Sequence, residues 1–281
     1  MVGGITFRQL LAEGKRLLAP LEDGDFDAFQ LLEFACQIDK SAFLMKSDEA
    51  VPTKQAEHFF NLCERRLQRY PLQYLLGSWD FFGYTFTVGE GVLIPRFDTE
   101  TVVEAAIERT SSIPAPVAAD LCSGSGCIAV TLSKQLKNSK IYAVELSEKA
   151  LPYLKKNVQY NNCTNVEVAA ADIFEWQPPQ QLDLVISNPP YITPEDMAAL
   201  QPEVTFEPAM ALAGGSDGLD FYRGITKRFY PFIKNGGWLI FELGYDQFEA
   251  VKNLMSDQGF KNITGHKDTG GIIRAICGQK P

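Results

Sequence analysis

Apolar residues in the first seventy-five positions recur at helical spacing. They run Phe7, Leu10, Leu11, Leu17 and Leu18, then Phe26, Phe29, Leu31, Leu32 and Phe34, then Phe59, Phe60, Leu62, Cys63 and Leu67. Stripes of this kind predict amphipathic helices packed on one another, so residues 1–75 are expected to form a small helical bundle. Asp25 and Thr53 mark helix starts, Pro52 marks a break, and Pro71 is expected to end the last long helix. The pattern then changes. Trp79 to Val88 is aromatic and β-branched and is punctuated by Gly83-Tyr84 and Gly89-Glu90-Gly91, which predicts a β-hairpin linker over residues 76–95. From 96 to 281, short apolar runs at 117–121, 140–144, 166–170 and 182–187 read as buried strands, and stretches such as Cys127 to Leu136 carry helical periodicity between them. Alternation of this sort predicts an α/β domain around a mostly parallel sheet.

Polar residues interrupt the apolar pattern where the predicted strands end. Asp120 leads into Cys122-Ser123-Gly124-Ser125-Gly126, a strand–glycine loop–helix unit in which glycine lets backbone approach a ligand and the helix start favours an anion. Glu145 closes the second strand, Asp172 and Ile173 follow the third, and Asn188-Pro189-Pro190-Tyr191 closes the fourth. Ligands of open α/β sheets bind along the carboxyl edge, so these points are expected to line one crevice. The loop alone leaves two ligands open. Gly124-Ser125-Gly126-Cys127-Ile128-Ala129 satisfies the dinucleotide fingerprint, with Glu145 at the distance of a ribose-binding acid, and suits a nicotinamide cofactor as well as S-adenosylmethionine. The Asn-Pro-Pro-Tyr corner is more particular. Two prolines fix φ and remove two donors, so the Asn188 carboxamide and the Pro189 carbonyl can converge as acceptors, with Tyr191 as a flat face. A site of acceptors without a base suits a weakly nucleophilic NH2 group that is to be alkylated.

Charge and residue counts narrow the chemistry. Of 281 residues, 46% are hydrophobic, enough for a full core and two domains. A formal charge of −9 argues against stable nucleic-acid binding. Arg65, Arg66 and Arg69 form a local basic cluster, expected as a solvated helix face. No apolar run of membrane-spanning length or signal-type N-terminus is present, so a cytoplasmic enzyme is expected. The six cysteines lack a C-x-x-C pair and read as reduced, mostly buried thiols, with Cys122 and Cys127 as small side chains at a tight turn. With His58 and His266 as the only histidines, no metal site is expected.

The order Asp120, glycine loop, Glu145, Asp172, Asn-Pro-Pro-Tyr resembles that of class I S-adenosylmethionine-dependent methyltransferases. Further segments narrow the likeness: Pro71 to Gly77, Leu93-Ile94-Pro95-Arg96-Phe97-Asp98-Thr99-Glu100, Glu207-Pro208, Ala213 to Leu219, Phe241-Glu242-Leu243-Gly244, and Lys267 to Arg274. With Asn188 to Tyr191 they make the chain resemble, over nearly its whole length, the bacterial peptide chain release factor glutamine N5-methyltransferases, the PrmC or HemK family. The resemblance implies a Rossmann-like methyltransferase domain over residues 96–281 behind a helical substrate-docking domain. It implies S-adenosylmethionine bound by Cys122, Ser123, Gly124, Ser125, Gly126, Glu145, Asp172, Ile173 and Asn188, and catalysis by Asn188, Pro189, Pro190 and Tyr191. It further implies methylation of the glutamine in the Gly-Gly-Gln motif of class I release factors, the protein partners. Phe97 stands where the family has proline, Cys122 where it has glycine, Glu145 where it often has Asp, and Ile173 where some members place tryptophan beside the adenine. A DNA or RNA amino-methyltransferase shares the Asn-Pro-Pro-Tyr corner and remains the alternative.

Overall fold

The structure is a computed structural model that describes residues 4–281; positions 1–3 of the expected helical domain lie outside the described residues. The described residues up to Gly77, together with Gln201–Phe206, form one compact unit, and Ser78–Leu200 with Glu207–Pro281 form another.

In the smaller unit, α1 (Phe7–Leu18) opens with a capping box: Gln9 N donates to Thr6 Oγ1, and Thr6 N donates to Gln9 Oε1. It is followed by α2 (Gly24–Cys36), α3 (Lys40–Lys46), α4 (Thr53–Leu67) and α5 (Leu72–Leu76). Of the apolar stripes, Leu10, Leu18, Leu31, Leu32 and Phe59 are fully buried, whereas Phe26, Phe34 and Leu67 are exposed. Two expectations are corrected here. The long helix ends at Leu67 rather than at Pro71; Arg69 takes a left-handed φ of 68° just beyond it, and Pro71 instead precedes the first turn of α5, where its missing N–H costs nothing. The basic cluster is a solvated face only at Arg65, which is exposed with its guanidinium over the Tyr70 ring. Arg66 is buried and ion-paired to Asp27 at 2.6 Å and to Glu203 at 2.9 Å, and Arg69 also reaches Glu203.

The larger unit begins with the hairpin β1 (Ser78–Phe81) and β2 (Tyr84–Thr87), turned at Phe82 and Gly83 with φ of 52° and 74°. There follow α6 (Asp98–Thr110), β3 (Val117–Leu121), α7 (Cys127–Gln135), β4 (Lys140–Glu145), α8 (Leu151–Tyr160), β5 (Val166–Ala170) and β6 (Leu182–Ser187). The chain continues through α9 (Pro194–Ala198), α10 (Asp220–Phe229), β7 (Ile233–Glu242), α11 (Phe248–Gln258), β8 (Lys261–Lys267) and β9 (Ile273–Gln279). The described strands β3 to β9 form one sheet in the order β5-β4-β3-β6-β7-β9-β8, parallel except where β9 pairs antiparallel with β7 and β8. Both faces are covered, which is why the central strands read as near-continuous apolar runs. On one face Val102, Val103, Ile128, Leu132 and Leu154 pack from α6, α7 and α8; on the other, Tyr222, Ile225, Phe229, Val251 and Met255 pack from α10 and α11. The strand order reverses between β3 and β6, so their carboxyl ends, Leu121 and Ser187, open a crevice where an α/β sheet binds its ligand. Among the described residues, no helix is long and apolar enough to cross a membrane.

Candidate functional site

A cavity occupies that crevice, the usual place for a small-molecule site in an α/β fold. Its floor is the loop after β3. Cys122, Gly124 and Gly126 all take left-handed φ, of 60°, 54° and 82°, and the position where a Gly124 side chain would begin faces open space. Glu145, at the end of β4, braces the loop: Gly124 N donates to one carboxylate oxygen and Ser147 N to the other, each at 2.7 Å. One lone pair on each oxygen remains free for a diol in the cavity. Behind the loop Asp120 is fully buried. Its Oδ2 accepts from Ala129 N at 3.1 Å while Oδ1 has no partner, and burial pushes its carboxyl up to about 8.

Eight of the nine residues expected to bind cofactor, Cys122, Ser123, Gly124, Ser125, Glu145, Asp172, Ile173 and Asn188, line this one cavity, together with Pro190. Ile173 is buried and supplies an apolar wall; Asp172 Oδ1 caps its own turn by accepting from Phe174 N at 2.8 Å. Gly126 lies behind the lining, where a side chain would meet Leu154 of α8. Pro189 and Tyr191 are likewise set back. Tyr191 packs its ring on the buried cluster beside α10 and α11, and its hydroxyl donates to Glu242 Oε1 at 3.3 Å, so it presents no stacking face to the cavity. Burial, and the Glu242 carboxylate after it, raise the Tyr191 phenol far above its ordinary range, which keeps it neutral.

Asn188 stands at the end of β6, where Ser187 Oγ fixes the strand end by donating to Leu121 O of β3 at 2.6 Å. The Asn188 amide Nδ2 donates to Thr99 Oγ1 at 3.3 Å, and the Thr99 hydroxyl donates to Glu242 Oε2 at 2.6 Å. Glu242 is buried at the end of β7, and burial pushes its carboxyl up to about 7. Behind it, Tyr222 Oη lies 2.9 Å from Glu242 O and 3.1 Å from Gln247 Oε1, while Gln247 Nε2 donates to Tyr191 O at 3.0 Å. Sequence reasoning gave Thr99, Glu242 and Gln247 no role; the first two occurred only inside family segments. Arg96, Asp98 and Glu100 each have a partner within the larger unit. Arg96 pairs with buried Glu207, Asp98 with Arg274, and Glu100 accepts from Phe82 N. Glu207 also accepts from Ile94 N at 2.9 Å, which holds the 94–96 segment along the cavity wall.

The sheet order and the crevice define a class I S-adenosylmethionine-dependent methyltransferase fold. A solved chain of this kind, the Thermus thermophilus 16S rRNA N2 G1207 methyltransferase in complex with AdoMet and guanosine, aligns at TM-score 0.54 and 17% identity over 73% of this chain and 50% of that one. Residues 9–77 match the model of the PrmC N-terminal domain, and residues 101–210 that of the methyltransferase small domain. The release factor glutamine methyltransferase of Geobacter sulfurreducens is 39% identical over 98% of this chain and 96% of its own length. That of Moorella thermoacetica is 37% identical over 98% and 99%. The chain belongs to the release factor glutamine methyltransferase family.

Proposed function

We propose that this chain uses S-adenosylmethionine to methylate N5 of the glutamine in the Gly-Gly-Gln motif of class I release factors, in the cytoplasm. The observation that carries the reading is Asn188: it sits on the cavity wall at the switch point with its NH2 engaged by Thr99, which leaves its oxygen as an acceptor for a substrate amide.

The residues present fit the cofactor. Glu145 retains acceptors for ribose hydroxyls, Ile173 gives the adenine an apolar wall, and Gly124 leaves room for close backbone approach. When bound, S-adenosylmethionine supplies a methyl carbon made electrophilic by the sulfonium. The protein's part is placement, since a glutamine amide nitrogen is a poor nucleophile and alignment alone can contribute ~7–11 kcal/mol in favourable cases. The Asn188 oxygen accepts one of the two N–H bonds and orients the nitrogen; the Pro189 carbonyl, expected to take the other, stands behind the cavity lining. As the N–C bond forms and the C–S pair goes to sulfur, positive charge grows on nitrogen and the Asn188 oxygen opposes it. The N-alkylated amide then loses a proton to water, so no base is required of the chain. The helical unit, with the 1–75 boundary and the 76–95 linker expected from sequence, is assigned to docking the release factor.

The test is tritiated S-adenosylmethionine with a recombinant release factor, its Gln→Ala loop variant, duplex DNA and total RNA in parallel. Label on the intact Gly-Gly-Gln factor alone is expected; label on nucleic acid alone would replace this reading with an amino-methyltransferase. Asn188→Ala is expected to lower kcat by roughly two to three orders of magnitude, with cofactor affinity within a few-fold.

A further inference from the structure

We propose that Thr99 and Glu242 are positioning residues which fix the flip of the Asn188 carboxamide, so that its oxygen and not its NH2 faces the substrate. The inference rests on the role given to Asn188 above. A carboxamide has two nearly isosteric ends, and an Asn turned by 180° would present a donor to a substrate NH2, which is itself a donor. Something must tell the two ends apart. Thr99 does so because its single hydroxyl proton is committed: it donates to Glu242 Oε2 at 2.6 Å, so toward Asn188 it can act only as an acceptor, and only the amide NH2 satisfies it. Thr99 is a buried first-turn residue of α6 and Glu242 the last residue of β7, so both ends of the relay are held by regular structure. The Tyr191 hydroxyl occupies the second Glu242 oxygen, which leaves the carboxylate an acceptor on both sides.

The arrangement holds only while Glu242 accepts. Once protonated it can donate to Thr99 Oγ1, and the freed Thr99 proton can turn toward Asn188 and favour the wrong end. Burial raises the Glu242 carboxyl toward neutrality. The groups that face it are Asp98 of α6, which raises it further, Arg274 of β9, which lowers it, and Tyr191, Tyr222 of α10 and Cys127 of α7, all three held neutral by burial.

The experiment uses the full-length chain, tritiated S-adenosylmethionine and an intact release factor, with Asn188→Ala as the reference. Thr99→Val keeps shape and removes the hydroxyl; kcat is expected to fall roughly tenfold, the scale of one oriented hydrogen bond, with KM for the protein and cofactor affinity within about threefold. Thr99→Ser restores the hydroxyl and is expected to recover kcat to within about threefold of the unaltered chain, a rescue that loss of packing alone would not give. In the unaltered chain kcat is expected to fall as pH drops below about 7, and Glu242→Gln, which can donate to Thr99 at every pH, should be slow throughout without that acid limb. Thr99→Val at full kcat, beside a crippled Asn188→Ala, would overturn the relay, and so would an unchanged acid limb in Glu242→Gln. Full turnover in Asn188→Ala would instead remove the role of Asn188 itself.

Discussion

Cys122 carries a side chain in a backbone conformation that ordinarily belongs to glycine. Its φ of 60° lies in the left-handed region, where a Cβ crowds the following carbonyl at a cost of roughly 1–2 kcal/mol. The loop accepts this because the residues on either side are fixed: Ser123 N donates to Val144 O at 3.1 Å and Ser123 Oγ to Asp120 O at 2.8 Å, while Leu121 O accepts from Ser187 Oγ at 2.6 Å. Burial drives the thiol far above its ordinary range, so Cys122 stays protonated and acts as a small apolar patch on the cavity floor. Cys122→Ala keeps the strain and loses the sulfur, whereas Cys122→Gly loses both. The glycine variant is therefore expected to be more stable than the alanine variant by about 1 kcal/mol in denaturant unfolding. Equal stabilities would mean that the loop relaxes around Cys122 without strain.

The elements that sequence periodicity found best are those whose environment is uniform. Leu182 to Ser187 is buried at every position, and such a strand announces itself as an apolar run bounded by a polar corner. Helix ends were less legible. Proline is equally compatible with the residue after a helix and the residue before one, and only the left-handed Arg69 decides that Pro71 introduces α5. The buried Arg66 was illegible for a different reason: one of its two carboxylates, Glu203, lies 137 positions away, beyond any local pattern. Its burial has a consequence for the helical unit. Asp27 and Glu203 are both desolvated beside it, and burial raises the Asp27 carboxyl while Arg66 lowers it. Arg66→Ala leaves those charges buried with one cation fewer and is expected to cost about 3–5 kcal/mol of the unit's stability. The pair Arg66→Met with Asp27→Leu should recover most of that loss in thermal unfolding. A double variant no better than the single one would show that Arg66 acts through packing rather than charge.

At the scale of the whole molecule, the candidate site was legible as a set of strand ends and illegible as a network. Glu145, Asp172 and Asn188 follow from where apolar runs stop. Thr99 and Glu242, 143 positions apart, meet only because the sheet order brings the end of β7 beside the start of α6. The same burial that assembles the site sets how the fold responds to pH. Asp120 and Glu242 have folded-state values of about 8 and about 7, raised in both cases chiefly by desolvation from ordinary values of 3.8 and 4.5. Between the ordinary and the raised value, the folded chain holds a proton that the unfolded chain has released. The stability these two groups contribute is thus fully present below about pH 4 and is lost as pH rises through 7 and 8. Asp217 and Asp268 shift the other way, lowered mainly by Arg223 and by the Ile272 backbone respectively, and their contribution is lost only in acid below that window. Asp120→Asn mimics the protonated acid at every pH: it keeps an oxygen for Ala129 N and places no charge behind the loop. Melting curves without cofactor between about pH 5 and 8.5 should therefore fall more steeply for the unaltered chain than for Asp120→Asn. Parallel curves would mean that Asp120 is ionised in the folded protein across this range, with its unpartnered oxygen reached by water.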